Sequence, residues 1–192
     1  VLLGFCIWAM FIARAQIVTT NPAFPIEGKA VTLIFDAAQG TAGLKGYTGD
    51  VYAHTGVITD QSEKESDWRY ASDWNVNVAK YKMTSLGNNK WELNITPDVR
   101  SYYGVPAGEK ILKMAFVFRS SDGKKEGKDT GGKDIFVDIH ETGLTVRFDQ
   151  PSGIATLNSG ETLAMKASAS MVADMKLFVG NEPIATQSNV KV

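Results

Sequence analysis

Tyr52, His54, Trp68, Tyr70 and Trp74 are the side chains whose types and spacing suggest chemistry. They fall in one stretch with Tyr47, interleaved with Lys45, Asp67, Arg69, Asp73 and Asn75. Sugar rings have apolar CH faces that lie flat on aromatic side chains, and their hydroxyls want planar polar groups alongside. Apolar walls with a few placed polar groups make a recognition site. Tyr52, His54, Trp68, Tyr70 and Trp74 are therefore the candidate glycan-binding set. The alternation of Trp68 and Tyr70 also suits the core face of one strand. Trp74, between Ser72-Asp73 and Asn75, is better placed for exposure. Trp91 alternates with Leu93 and Ile95 and reads as core. Tyr102 and Tyr103 suit either a surface or loop packing.

No catalytic constellation accompanies these residues. The chain has no G-x-S-x-G elbow, P-loop, strand-following G-x-G-x-x-G or H-E-x-x-H. No catalytic residue is assigned, and no metal ligand. Asp50, Asp60, Glu63, Glu65, Asp67 and Asp73 are close in sequence. A glycosidase would need two such groups about 5 to 10 Å apart across a cleft. Clustered oxygens can also take Ca²⁺, though these acids do not follow the twelve-residue calcium-loop pattern. The mature region holds no cysteine, because Cys6 is the only one and lies in the apolar start. That excludes a thiolate zinc site, and with only His54 and His140 a His-rich metal site is not expected. A net charge of −1 offers no basic surface for nucleic acid or an anionic membrane.

These residues must be positioned by strands. Eighteen glycines, six prolines and short Val/Ile/Phe/Thr runs describe an all-β chain, and no helical stripe exceeds two turns. Residues 29–36 (KAVTLIFD) alternate, with Val31, Leu33 and Phe35 on one face. Residues 40–49 carry Gly40, Gly43, Gly46 and Gly49 and must be a loop. Residues 50–58 form a second strand, with Tyr52 and His54 opposite Val51 and Ala53. A polar loop follows over 59–67, and Trp68-Arg69-Tyr70 starts a third strand, both rings on one face. Residues 81–85 and 90–96 flank Leu86-Gly87-Asn88-Asn89, a hairpin signal. Residues 98–108 form a loop with one helical turn near its start. Residues 111–119 (ILKMAFVFR) turn Leu112, Met114, Phe116 and Phe118 inward. A solvated loop spans 120–133, and Ile135, Val137 and Ile139 close the domain.

Seven or so strands with regular turns fit an immunoglobulin-like β-sandwich over 16–141. A second series, at 144–148, 161–169 and 175–179, reads as the start of a second, truncated β-sandwich over 142–192. The expectation is a fragment of something longer. Residues 1–15 read as a signal peptide: VLLGFCIWAM, then FIARAQ with Ala13-Arg14-Ala15 as a small-x-small cleavage pattern. The run is shorter than the about 20 apolar residues of a membrane span, and Phe5 before Cys6 argues against lipidation. The expected location is exported: periplasmic, cell-surface or extracellular, with no membrane span after cleavage.

Residues 49–59 (GDVYAHTGVIT), Ser66-Asp67-Trp68, 82–89 (KMTSLGNN), 103–109 (YGVPAGE), 116–120 (FVFRS) and 132–137 (GKDIFV) form a distinctive set. In them the chain resembles the N-terminal β-sandwich region of secreted, Bacteroidetes-type α-amylase-family glycoside hydrolases. The resemblance implies a non-catalytic accessory module preceding a starch-degrading (β/α)₈ barrel. Such a barrel needs about 250 residues of its own. Its implied partners are an α-glucan polysaccharide and the downstream catalytic barrel of the same chain. The alternatives are a purely structural spacer, or a surface protein-interaction sandwich that binds no glycan.

Overall fold

The computed structural model describes residues 16–151 and 154–190. The leader expected at 1–15 lies outside the described residues. The molecule is all-β. Its first part is a sandwich of two antiparallel sheets. β1 (Val18–Asn21) and β2 (Val31–Asp36) pair edge to edge. β3 (Val51–Thr59) crosses to the opposite layer. β4 (Thr84–Gly87) and β5 (Lys90–Ile95) return to the first, giving the order β1-β2-β5-β4. After the helix α1 (Val99–Tyr103), β6 (Ile111–Ser120) is the centre of the second sheet. It pairs with β3 on one side, and with β7 (Glu126–Gly127) and β8 (Ile135–Asp138) on the other.

Local signals explain the elements. In β2 every second residue is buried, so Val31, Leu33 and Phe35 face inward, opposite Ile95, Leu93 and Trp91 of β5. The β4–β5 turn is Asn88-Asn89, with φ of 48° and 62°. Two successive positive φ values make the turn that matches strand twist, and Asn tolerates them. Asp98 caps α1 by accepting from the Ser101 N–H at 2.7 Å, and Gly104 at φ 75° ends it. Tyr102 and Tyr103 are both buried in loop packing.

The two layers close around Leu33, Phe35, Leu93, Ile95, Met114, Phe116 and Phe118. Phe35 stacks on Phe118 with centroids 4.0 Å apart. Gly127 makes room for that pair, because a Cβ there would collide with the Phe35 ring. Each large side chain so buried contributes about 1.5–3 kcal/mol.

Three expectations about these elements are corrected, and one strand is new. Residues 68–70 are not a strand: Arg69 makes one bridge to Val57, and Tyr70 turns left-handed at φ 53°. Trp68 and Tyr70 therefore do not share a face. Leu112 points out, at 39% exposure, because the register of β3 on β6 shifts there: Ile58 faces Lys113 and Thr59 faces Ile111. A bulge of one residue reverses the inside–outside alternation. The 120–133 loop is not wholly solvated, since it contributes β7 and its buried Gly127. A strand at 182–190 was not expected from the sequence; Pro183 and weak alternation hide it.

The second part holds two ladders. β9 (Val146–Gln150) pairs with β10 (Lys166–Ala169), and β11 (Ala173–Val179) with β12 (Glu182–Val190). The 161–169 strand is thus confined to its last four residues. Arg147 reaches back to the first part: its Nη1 donates to the Ala23 carbonyl at 2.9 Å, and its guanidinium lies 4.7 Å from the Phe24 ring centre. Among the described residues no helix is long and apolar enough to cross a membrane.

Candidate functional site

The β3–β6 register sorts the second sheet into an inner and an outer face. Val51, Ala53 and Val57 face the core, so Tyr52, His54, Gly56 and Ile58 face out. Opposite them on β6 stand Arg119, Val117, Ala115 and Lys113. The register that sets Phe116 against Ile135 carries Asp134 to Val117. One outer row thus reads His54 on β3, Val117 on β6 and Asp134 at the entry to β8. The next reads Gly56, Ala115, Phe136.

The chain between β3 and β4, residues 60–83, straps over this face. The Arg69 N–H and carbonyl bond Val57 at 2.8 and 3.0 Å. Ser72 donates its N–H to the Thr55 carbonyl at 2.8 Å and accepts the Thr55 N–H on its hydroxyl at 3.0 Å. The row of small residues makes this approach possible. A Cβ on Gly56 would lie 2.9 Å from the Arg69 carbonyl oxygen and 3.0 Å from Ala71. Here glycine is required by space rather than by φ.

Arg119 holds the far end of the strap. Only 3% exposed, it donates to Asn77 Oδ1 at 2.8 Å and to the Val76 carbonyl at 3.1 Å. Its guanidinium sits between the Tyr52 ring (5.4 Å) and the Trp74 ring (5.7 Å). No carboxylate pairs with it among the described residues, and its Nε is buried without a partner. Carbonyl oxygens and two ring faces stand in for a counter-ion.

Between strap and sheet opens a groove of about 410 Å³, lined chiefly by His54, Asp67, Trp68, Trp74, Val117 and Asp134. That volume is within the usual range of ligand sites, about 300–1,000 Å³. The His54 ring stacks on Trp68 at 5.3 Å and 24°, and meets Trp74 edge-on at 5.0 Å and 75°. Trp68 also touches Phe136 edge-on at 6.4 Å. The two indoles form a bent wall with the imidazole in its corner. Ser72 Oγ lies 3.3 Å from His54 Nδ1, bracing the ring against the strap. Burial, reinforced by the Arg119 charge, holds the imidazole below its ordinary range, so it is neutral at pH 7; Asp134 and Asp73 pull weakly the other way.

Of the sequence-derived candidates, His54, Trp68 and Trp74 meet in this groove. Trp68 lies half-buried on the outer face, outside the inter-sheet core. Tyr52 is buried beneath Arg119 and presents no open ring. Tyr70 turns away: its ring packs on the core, and its hydroxyl donates to Glu109 Oε2 at 2.5 Å. Glu109 also bonds Thr59 Oγ1 and pairs with Arg69 Nε at 2.9 Å. These bonds, those of Thr59 and Tyr70 first, hold its carboxyl below the ordinary range. They also offset the about 1–2 kcal/mol that a left-handed tyrosine costs.

The acids disperse. Asp50 pairs with Lys82 at 2.8 Å and Glu65 with Lys113 at 2.6 Å. Asp60 accepts the Lys110 N–H at 3.0 Å, and Asp73 accepts that of Asn75 at 2.8 Å. Among the described residues no three His, Cys, Asp or Glu side chains gather where they could hold a metal ion. The Ca²⁺ expectation therefore gains no ligand set from these acids.

Sequence reasoning missed Arg119 and Asp134. An arginine closing the most apolar strand was a signal for the first. Asp134 had none, because only the β6–β8 register brings it beside Val117.

No curated protein matches the chain. Residues 18–126 match a family described as a domain of unknown function, DUF8578. The match covers more than half of the sequence, from β1 to the start of β7, and includes the strap with both indoles. The chain belongs to the DUF8578 family.

Proposed function

We propose that this protein is a non-catalytic carbohydrate-binding module, exported and serving a starch-degrading enzyme of the α-amylase type. The observation that carries the binding half is the groove in which Trp68 and Trp74 flank His54 beside Asp67 and Asp134. An apolar bent wall with carboxylates at its margin suits a sugar ring and its hydroxyls. Export and the link to a catalytic barrel rest on the sequence of residues 1–15 and on the family resemblance. A groove this open binds each ligand weakly. Its value lies in raising the effective concentration of an attached catalytic domain near a polymer.

Affinity electrophoresis in amylopectin gels tests this. The wild-type chain is expected to be retarded. W74A should lose about three- to tenfold in apparent affinity, the equivalent of about 0.5–1.5 kcal/mol. Unretarded migration of the wild type removes the glycan reading. One observation favours a structural spacer instead: the three rings pack on one another. A spacer predicts that W68A lowers the melting temperature while retardation is absent throughout.

A further inference from the structure

We infer that Asp134 is the specificity-determining acceptor of the groove and selects uncharged glycans over acidic ones. The inference rests on the glycan reading and goes beyond it in naming the residue and the ligand class.

Asp134 is half-buried, yet no hydrogen bond or ion pair reaches its carboxylate among the described residues. The other charged groups of the groove are engaged. Asp67 Oδ2 accepts the Glu63 N–H at 3.1 Å, and Lys128 Nζ pairs with Glu126 at 3.2 Å. Arg119 is taken up by Asn77, Val76 and the two rings. His54 is neutral and braced by Ser72. Among the lining residues Asp134 is thus the carboxylate with no partner, and Lys128, the one lysine or arginine there, already pairs with Glu126. A carboxylate is acceptor-only and takes up to two donors side by side. Adjacent hydroxyls of a sugar supply that geometry.

The row places the other polar atom within reach of the same ring. His54 and Asp134 are two strand spacings apart, about 9.5 Å between backbones. Val117, only 3% exposed, forms the floor between them. A uronate or phosphorylated sugar would set its own charge against Asp134, and the one lysine in the lining, Lys128, is already paired with Glu126. Like-charge juxtaposition is a strong rejecting element.

The test compares wild type, D134N and D134A in gels containing amylopectin or polygalacturonate, with near-UV circular dichroism to confirm the fold. Wild type should be retarded by amylopectin only. D134A should lose about ten- to hundredfold on amylopectin, the usual worth of a hydrogen bond to a charged group. D134N keeps shape and one acceptor, so it should lose less and begin to be retarded by polygalacturonate. Equal retardation of wild type and folded D134A by amylopectin overturns the assignment but leaves the glycan reading intact. Retardation of the wild type by both polymers overturns the selectivity. Retardation of the wild type by neither overturns the reading and the inference together.

Discussion

The strands of residues 18–140 and those from β9 onward are both antiparallel, and β2 and β9 alike alternate apolar with polar side chains. They differ in what faces the apolar side. In β2, Val31, Leu33 and Phe35 are at most 1% exposed, because the β3–β6 layer lies opposite. In β9, Val146 is 52% and Phe148 56% exposed, and Phe178, off the apolar row of β11, is 51% exposed. Beyond Ile135, Ala169 is the one apolar side chain among the described residues that is buried. Alternation selects a face, but burial needs a second layer, and a two-stranded ladder alone supplies none. The same pattern thus yields a core in one region and an uncovered surface in the other.

The largest test of this contrast sets F118A against F178A in urea unfolding of the full chain. F118A empties half of a stacked pair and should cost about 3–5 kcal/mol. F178A should change stability by no more than about 0.5 kcal/mol. Equal losses would show that the second region also has a core.

A smaller effect sharpens the difference between the inner and outer faces of the first region. G56A inserts a methyl group under Arg69 and Ala71, with no effect on the Phe35–Phe118 pair. It should cost about 1–3 kcal/mol and alter tryptophan emission as the strap lifts. An unchanged spectrum with unchanged stability would mean that the strap does not depend on contact with the sheet.

The smallest effect concerns pH. Glu109 titrates below its unfolded value of about 4.3, so its stabilisation is complete above that pH. It is lost as pH falls through the folded pKa. E109Q should therefore be less stable than wild type at pH 7, and the gap should narrow in acid. A gap that stays constant from pH 7 to 3 would show that Tyr70, Thr59 and Arg69 do not depend on the carboxylate charge.

Much of the inner face was legible. Val31, Leu33, Phe35, Trp91, Leu93 and Ile95 were readable because a period of two survives wherever strands pair in register. The 88–89 turn and the helical turn near the start of 98–108 were readable because they depend on a few adjacent residues. The outer site was legible only in part. His54, Trp68 and Trp74 stood out by residue type. Tyr52 was misjudged because Arg119, distant in sequence, covers it. Tyr70 was misjudged because its left-handed backbone has no mark in the residue itself; it persists through Glu109.

The sequence by itself determined the β class, the inward set of the first sandwich and the stretch where aromatic and polar groups concentrate. Those properties follow from neighbours along the chain. Tertiary structure alone decided which aromatics meet, that Arg119 lies buried between two rings, and that Asp134 stands free beside Val117. Each of these depends on the register between strands far apart in sequence, and a shift of one residue sends a side chain to the opposite face.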